Sequence, residues 1–151
     1  MARPHKMRTV HRPPAHAGFK PTGIRSRDLE PLPLALDELE AIRLADYLGM
    51  DHTDAAHEME ISRSTFSRLV ERARRKVAEF LVEGRHLRVD GGEVHFQHNR
   101  VRCDDCGHDL TTSLNSHPKK CPSCGSTNLI DLAGGFGHGR CCRRHHNNRR
   151  R

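Results

Sequence analysis

The strongest periodic signal in the chain lies between Ser62 and Gly84. Phe66, Leu69, Val70, Ala73, Val77, Phe80 and Leu81 recur there in steps of three and four. That spacing sustains one apolar face over about four helical turns. Ser62 is a good N-cap and Gly84 a natural stop. A weaker pattern precedes it. Leu39, Ile42 and Ala45, joined by Ala41, Leu44 and Leu48, give a broad apolar face. Asp37 can cap that helix with Glu40 three residues on, and Gly49 can end it. A short helix fits Thr53 to Met59, with Ala55, Ala56 and Met59 facing inward. After Gly84 the helical period is lost. Residues 85–93, "RHLRVDGGE", predict a short strand and a turn, and "EVHFQHNRVR" and "TNLIDL" predict further strands.

Pro13, Pro14 and Pro21 argue against helix in residues 1–27, which predict an extended basic arm or a disordered segment. The expected organisation is a basic arm (1–27), a helical domain (28–92), a small cysteine lobe (93–132) and a disordered basic tail (133–151). The fold class is therefore a mainly α N-terminal domain plus a small β ribbon, with flexible basic termini.

Charge sharpens this picture. The net charge is +7 and it is laid out in blocks. Residues 2–27 contain no acid, residues 28–60 contain Arg43 as the one basic residue besides histidine, and residues 61–88 turn basic. The tail from Ala133 has six arginines and no acid. Segregation of this kind favours a polyanionic partner. The chain starts without the apolar run of a signal peptide, and no stretch approaches the roughly 18 apolar residues that span a bilayer. A cytoplasmic protein without membrane contact is expected. In that reducing setting the six cysteines suggest metal ligands before disulfides.

A short helix, a tight turn and a longer helix form a helix-turn-helix candidate. The motif needs a small residue in its first helix (Ala56), a turn followed by an apolar residue (Glu60, Ile61) and two inward anchors on the second helix (Phe66, Leu69). Arg63, Ser64, Ser67 and Arg68 then face outward, where arginine reaches guanine edges and serine bonds bases or phosphate. Arg72, Arg75 and Lys76 lie further along and suit phosphate. A solvated charged face is the alternative for the same pattern.

The stretch "ISRSTFSRLVERARRK" resembles region 4 of the sigma-70-type initiation factors, whose helix-turn-helix reads a promoter element. A wider resemblance covers most of residues 1–92. "MARPHKMRTV", "FKPTGI", "LALDELEAIRLADYLGM", "ISRSTFSRLVERARRKVAEFLVEG" and "LRVDGG" together are similar to the prokaryotic family called domain of unknown function 134, whose members are regarded as DNA-binding because of that sigma-like motif. One departure is Glu60, where such turns commonly carry Gly. A side chain in a left-handed turn costs about 1 kcal/mol, and this one would bring an acid near the groove.

Cys103-x-x-Cys106 and Cys121-x-x-Cys124, fourteen residues apart, form a strong zinc pattern. Each turn presents two thiolates to one tetrahedral ion, and Gly107 and Gly125 let the backbone curl so that its N–H groups meet sulfur. The pattern resembles zinc ribbons. Four thiolates on one structural Zn²⁺ leave a charge of −2, which Arg102, Lys119 and Lys120 are placed to offset, and leave no open position for catalysis. A redox pair and free thiols are the alternatives, with His108 and His117 as substitute ligands. Such a ribbon could add DNA contacts, bind RNA polymerase or another protein, or complete the fold; Phe96 alone is a thin basis for stacking RNA. Cys141, Cys142, His145 and His146 form a weaker metal pattern, because adjacent residues chelate poorly; a flexible basic tail is preferred.

No nucleophile elbow, P-loop or paired-carboxylate arrangement is present, and "GGFGHG" is not expected to open a helix. The expectation is thus not an enzyme but a regulator that binds double-stranded DNA. Its alternative is an adaptor of the transcription machinery. Homodimers are common among such readers, yet no segment declares itself an interface.

Overall fold

A computed structural model describes residues 6–149. Residues 1–5 of the expected arm and 150–151 of the expected tail lie outside the described residues. The chain divides into two compact units: residues 6–9 with 16–94, and residues 10–15 with 95–149.

In the first unit the helices follow the periodic segments. Helix α1 spans Leu36–Ile42 and continues as a wider π-turn over Arg43–Tyr47. Helix α2 spans His52–Glu58, capped by Asp51, whose side chain accepts from the Thr53 and Asp54 N–H groups. Helix α3 spans Arg63–Glu83, about 30 Å of helix. The Ser62 hydroxyl accepts from the Thr65 N–H, and Gly84, at φ 66°, ends it in the left-handed conformation that suits glycine. Ala41, Leu44, Ala55, Ala56, Met59, Phe66, Leu69 and Val70 form one buried cluster. The pattern on α3 fades toward its end: Leu81 and Val82 are 70% and 85% exposed.

Helix α1 departs from the expected capping. The helix begins at Leu36, and Glu38, not Glu40, reaches back to the Ala35 N–H at 3.2 Å. Asp37 is buried instead and accepts a bond from Arg8. The leucines of "PLPLAL" explain the shift. Leu32, Leu34 and Leu36 are buried at alternate positions while Pro31 and Pro33 point outward, so strand β3 (Pro31–Leu34) runs directly into the helix. Strand β3 pairs in parallel with the strand at His86–Val89, which pairs in turn, antiparallel, with β2 (Gly18–Phe19). The sheet order puts β3 at an edge, where proline's missing N–H is tolerated. The whole helical segment is therefore the crossover between two parallel strands.

The expected basic arm is not a separate arm. Beyond β2 it contributes β1 (Arg8–Val10), divided between the two units. In the first unit the Arg8 N–H donates to the Glu93 carbonyl and the Thr9 N–H to the Met59 carbonyl. In the second the Val10 carbonyl accepts from the Gln97 N–H, and Pro13 is fully buried. Backbone pairing of this kind is open to any extended segment, prolines at its ends included.

The strand at His86–Val89 is β4 and that at Val94–Phe96 is β5. The second unit is built on an antiparallel sheet ordered β7-β6-β8, from β6 (Asn99–Cys103), β7 (Asp109–Thr112) and β8 (Leu129–Asp131). Val101 pairs with Leu110 on one side and Asp131 on the other. The expected disordered tail carries two helices, α4 (Leu132–Gly135) and α5 (Arg140–Arg149). Leu132, Ala133 and Cys142 are buried, which gives this glycine- and arginine-rich segment an apolar anchor that its composition obscures. The run "GGFGHG" thus leads into α5, contrary to expectation. It does so from α4 rather than from a strand, and so lacks the strand–loop–helix context of a dinucleotide site. No helix among the described residues is long and apolar enough to cross a membrane.

Candidate nucleic-acid interface and metal centre

The turn between α2 and α3 is tightly bonded. The Glu60 N–H donates to the His57 carbonyl at 3.1 Å, and the Ile61 N–H to the Ala56 carbonyl at 3.0 Å. Ala56 is buried, so the chain closes against a small side chain. Glu60 takes φ 58°, the one non-glycine residue with positive φ among those described. Its carboxylate accepts from the Thr9 hydroxyl. That bond offsets part of the backbone strain.

The seven outward residues separate into two groups. Arg63, Ser64, Arg68 and Arg75 are exposed. Ser67 is half-buried, and its hydroxyl lies 2.8 Å from His52 Nδ1, so it is engaged with α2. The His52 ring in turn packs edge-on against Phe66. Arg72 and Lys76, expected at phosphate, are bound within the unit to Glu38. Arg72 Nε donates to Oε1 at 3.0 Å, and Lys76 Nζ to Oε2 at 2.8 Å. The cause is the carboxylate. Glu38 is 3% exposed, and a buried charge needs partners. Residues four apart on α3 present two cations to it on one face. This three-residue knot, tying α1 to α3, is what the sequence reading missed; an acid-rich helix beside an arginine-rich one was its available signal.

Further ion pairs engage the basic stretch, among them Arg75–Glu71 and Arg85–Glu79. Arg74 makes a two-pronged contact with Asp46, at 2.6 and 3.0 Å, and holds that carboxyl below the usual range. Arg43 makes a similar two-pronged contact with Glu40 at 2.7 and 2.8 Å. Arg63, Arg68, Arg72, Arg74 and Arg75 are all exposed, and Arg75 lies 4.0 Å from the Glu71 carboxylate.

The four expected cysteine ligands come together in the second unit. Their sulfurs lie within 4.8 Å of one another, with Cys103–Cys124 and Cys106–Cys121 both at 3.6 Å. A tetrahedral ion with Zn–S bonds of about 2.3 Å spaces its sulfurs by about 3.7 Å, so the donor set fits. Cys103 and Cys121 are buried and Cys106 and Cys124 exposed. Each CxxC turn is closed the same way. The Gly107 N–H donates to the Cys103 carbonyl at 3.0 Å, and the Gly125 N–H to the Cys121 carbonyl at 2.9 Å. Both glycines have φ near 73°, which is why they are glycine. The Ser123 N–H points at Cys121 Sγ, 3.4 Å away. The Cys124 and Ser123 N–H groups pull the Cys121 thiol down to about 6. Against the Ser126 N–H, the neighbouring Cys106 sulfur, burial, and the Cys103 and Cys121 sulfurs push Cys124 up to about 12. Four thiolates cannot ionise side by side without a cation. His108 and His117 are not in the cluster. Arg102 is half-buried and donates to the Ala15 carbonyl at 2.7 Å.

Comparison with known proteins agrees on one family. Residues 1–97 match the model described as "Protein of unknown function DUF134". A UPF0251 protein of Chloroherpeton thalassium is 46% identical over 147 residues, covering 95% of this chain and 97% of its own length. A UPF0251 protein of Moorella thermoacetica is 44% identical over 144 residues, covering 95% and 94%. One from Chlorobaculum tepidum is 41% identical over 145 residues, covering 93% of this chain and 74% of its own length. No solved structure matches. These similarities run through both the helical unit and the cysteine-bearing one, and the chain belongs to the DUF134 family, the family of the UPF0251 proteins.

Proposed function

We propose that this protein binds double-stranded DNA in a sequence-specific way and regulates transcription, with α2 and α3 acting as a helix-turn-helix like that of sigma-70 region 4. One observation carries the reading: a short capped helix, a four-residue turn and a long helix whose first two turns expose Arg63, Ser64 and Arg68. Placed in a major groove, the arginines reach base edges. Arg75 meets phosphate, and so does the α3 N-terminus, whose first N–H groups favour an anion. Arg72 and Lys76 have a different task, holding α3 on α1 through Glu38. The Cys103–Cys106–Cys121–Cys124 cluster holds one structural zinc, with no coordination position left for chemistry. The protein acts by binding rather than catalysis, in a compartment reducing enough to keep thiols free.

A salt titration of duplex binding tests this. Neutralising several phosphates makes log K fall linearly with log salt, by roughly 0.9 per phosphate. A salt-independent affinity would remove DNA as the ligand.

A second reading, an adaptor that binds a protein of the transcription machinery, has its own support in Tyr47, Leu81 and Val82, which are 82%, 70% and 85% exposed. Replacing all three with serine would then abolish partner capture and leave duplex affinity unchanged.

A further inference from the structure

We propose a second metal site in the second unit, in which His95, His138, Cys141 and Cys142 bind a zinc-class cation. The expected partners of the two cysteines, His145 and His146, are not the ones the fold supplies. His95, on β5, lies with Cys141 and Cys142 in a group of donors all within 4.8 Å of one another. His138, three and four residues before the cysteines, adds a fourth. Its Nδ1 is 3.5 Å from Cys141 Sγ and 4.0 Å from Cys142 Sγ, and the two sulfurs are 3.7 Å apart. These three spacings are close to those between ligand atoms around an ion with bonds of roughly 2.0–2.3 Å, and His95 lies within 4.8 Å of both sulfurs. The sulfurs are far too distant for a disulfide, which would bring them to about 2.05 Å.

Three further features belong to a ligand site rather than to ordinary packing. His95 Nδ1 is buried and has no hydrogen-bond partner, and coordination through it would satisfy it. The Phe96 N–H donates to Cys142 Sγ at 3.3 Å, the backbone contact that steadies a metal-bound thiolate. Both imidazoles are held by neighbouring rings. His95 stacks on His145 with centroids 4.2 Å apart, and His138 packs edge-on against Phe96 at 5.3 Å. Cys142 is 1% exposed and Cys141 is exposed, so the site has an open side for entry.

The donor set also balances charge. Binding releases the two thiol protons, and two thiolates with two neutral imidazoles leave Zn²⁺ at zero net charge. No counter-ion is needed, which suits a site on a helix already carrying Arg140, Arg143, Arg144 and Arg149. Adjacent cysteines chelate here because they open α5, where the chain turns from Gly139 into the helix. The consequence is that the arginine-rich α5 is pinned to β5 by metal, so its order depends on zinc supply. This goes beyond the DNA-binding reading and does not rest on it.

Native mass spectrometry of the full chain, reduced and given zinc, is the test. Wild type should hold two ions. Cys141→Ser/Cys142→Ser should hold one, as should His95→Ala. Cys103→Ser/Cys106→Ser should lose the first ion and unfold the sheet of its unit, so the Cys141/Cys142 and His95 variants decide. With Co²⁺ in place of zinc, the thiolate charge-transfer intensity of the Cys141/Cys142 variant should fall by about a third, two of six thiolates. Wild type with a single ion, or a Cys141/Cys142 variant that keeps every ion wild type holds, overturns the proposal. So does a wild-type mass showing Cys141 and Cys142 joined as a disulfide in place of the second ion.

Discussion

Phe66 in the first unit and Cys103 in the second are almost equally buried, at 0% and 1% exposure, yet they hold their units by different means. Around Phe66 lies an aliphatic cluster of Ala41, Leu44, Ala55, Ala56, Met59, Leu69 and Val70, which gains by leaving water and needs no cofactor. The second unit has fewer such residues, and three of its buried side chains are cysteines: Cys103, Cys121 and Cys142. A unit of that size has little apolar area to bury, so a metal held by the clustered cysteines would take over much of the stabilisation. Small cores thus trade hydrophobic area for coordination, and the two units should fail under different treatments.

The largest expected effect separates them most sharply. Removing zinc with a chelator, or making Cys103→Ser/Cys106→Ser, should unfold the sheet of β6, β7 and β8, since structural zinc is worth about 10–16 kcal/mol in small fingers. Far-UV circular dichroism should still report α1–α3. Simultaneous loss of the helices would break the comparison.

Phe66→Ala is the converse. It should destabilise the helical unit by about 3–5 kcal/mol in a urea titration, with the cysteine cluster still binding its metal. Glu38→Gln comes next. It leaves Lys76 and Arg72 without the carboxylate, but both reach solvent, so a loss of about 1–2 kcal/mol is expected in the same titration.

The smallest effect is in acid. Arg74 holds the Asp46 carboxyl below its ordinary value, so the ion pair stabilises the first unit above the unfolded value of about 4. That contribution is lost as pH falls through the lowered folded value. Both groups are more than a third exposed, so salt screens the pair and the step should be well under about 1 kcal/mol. Comparing acid titrations of wild type and Asp46→Asn measures it, and equal profiles would remove the pair from the account.

Helix α3 was legible from Ser62 to Gly84 because its caps and its period are local. So were the two CxxC turns, whose spacing alone brings four sulfurs together. What escaped depends on contacts distant in sequence. Nothing near Glu38 announces that Arg72 and Lys76 will reach it, 34 and 38 residues on. Without that knot the two cations look like phosphate ligands. Asp37 resembles a cap until Arg8 is seen beside it. The strand "PLPL" hides behind its prolines, although Leu32 and Leu34 alternate as a strand requires. The tail helix was obscured by glycine and arginine, and its anchors, His95 and Phe96, lie more than forty residues upstream.

Sequence-specific binding through α3 is the central claim, and selection from a random-duplex pool at physiological salt tests it most directly. Wild type should enrich a defined site. Arg68→Ala should relax preference at one position, by about 1–3 kcal/mol, whereas Arg75→Ala should weaken all sequences alike. A pool that stays random with wild-type protein would contradict the account.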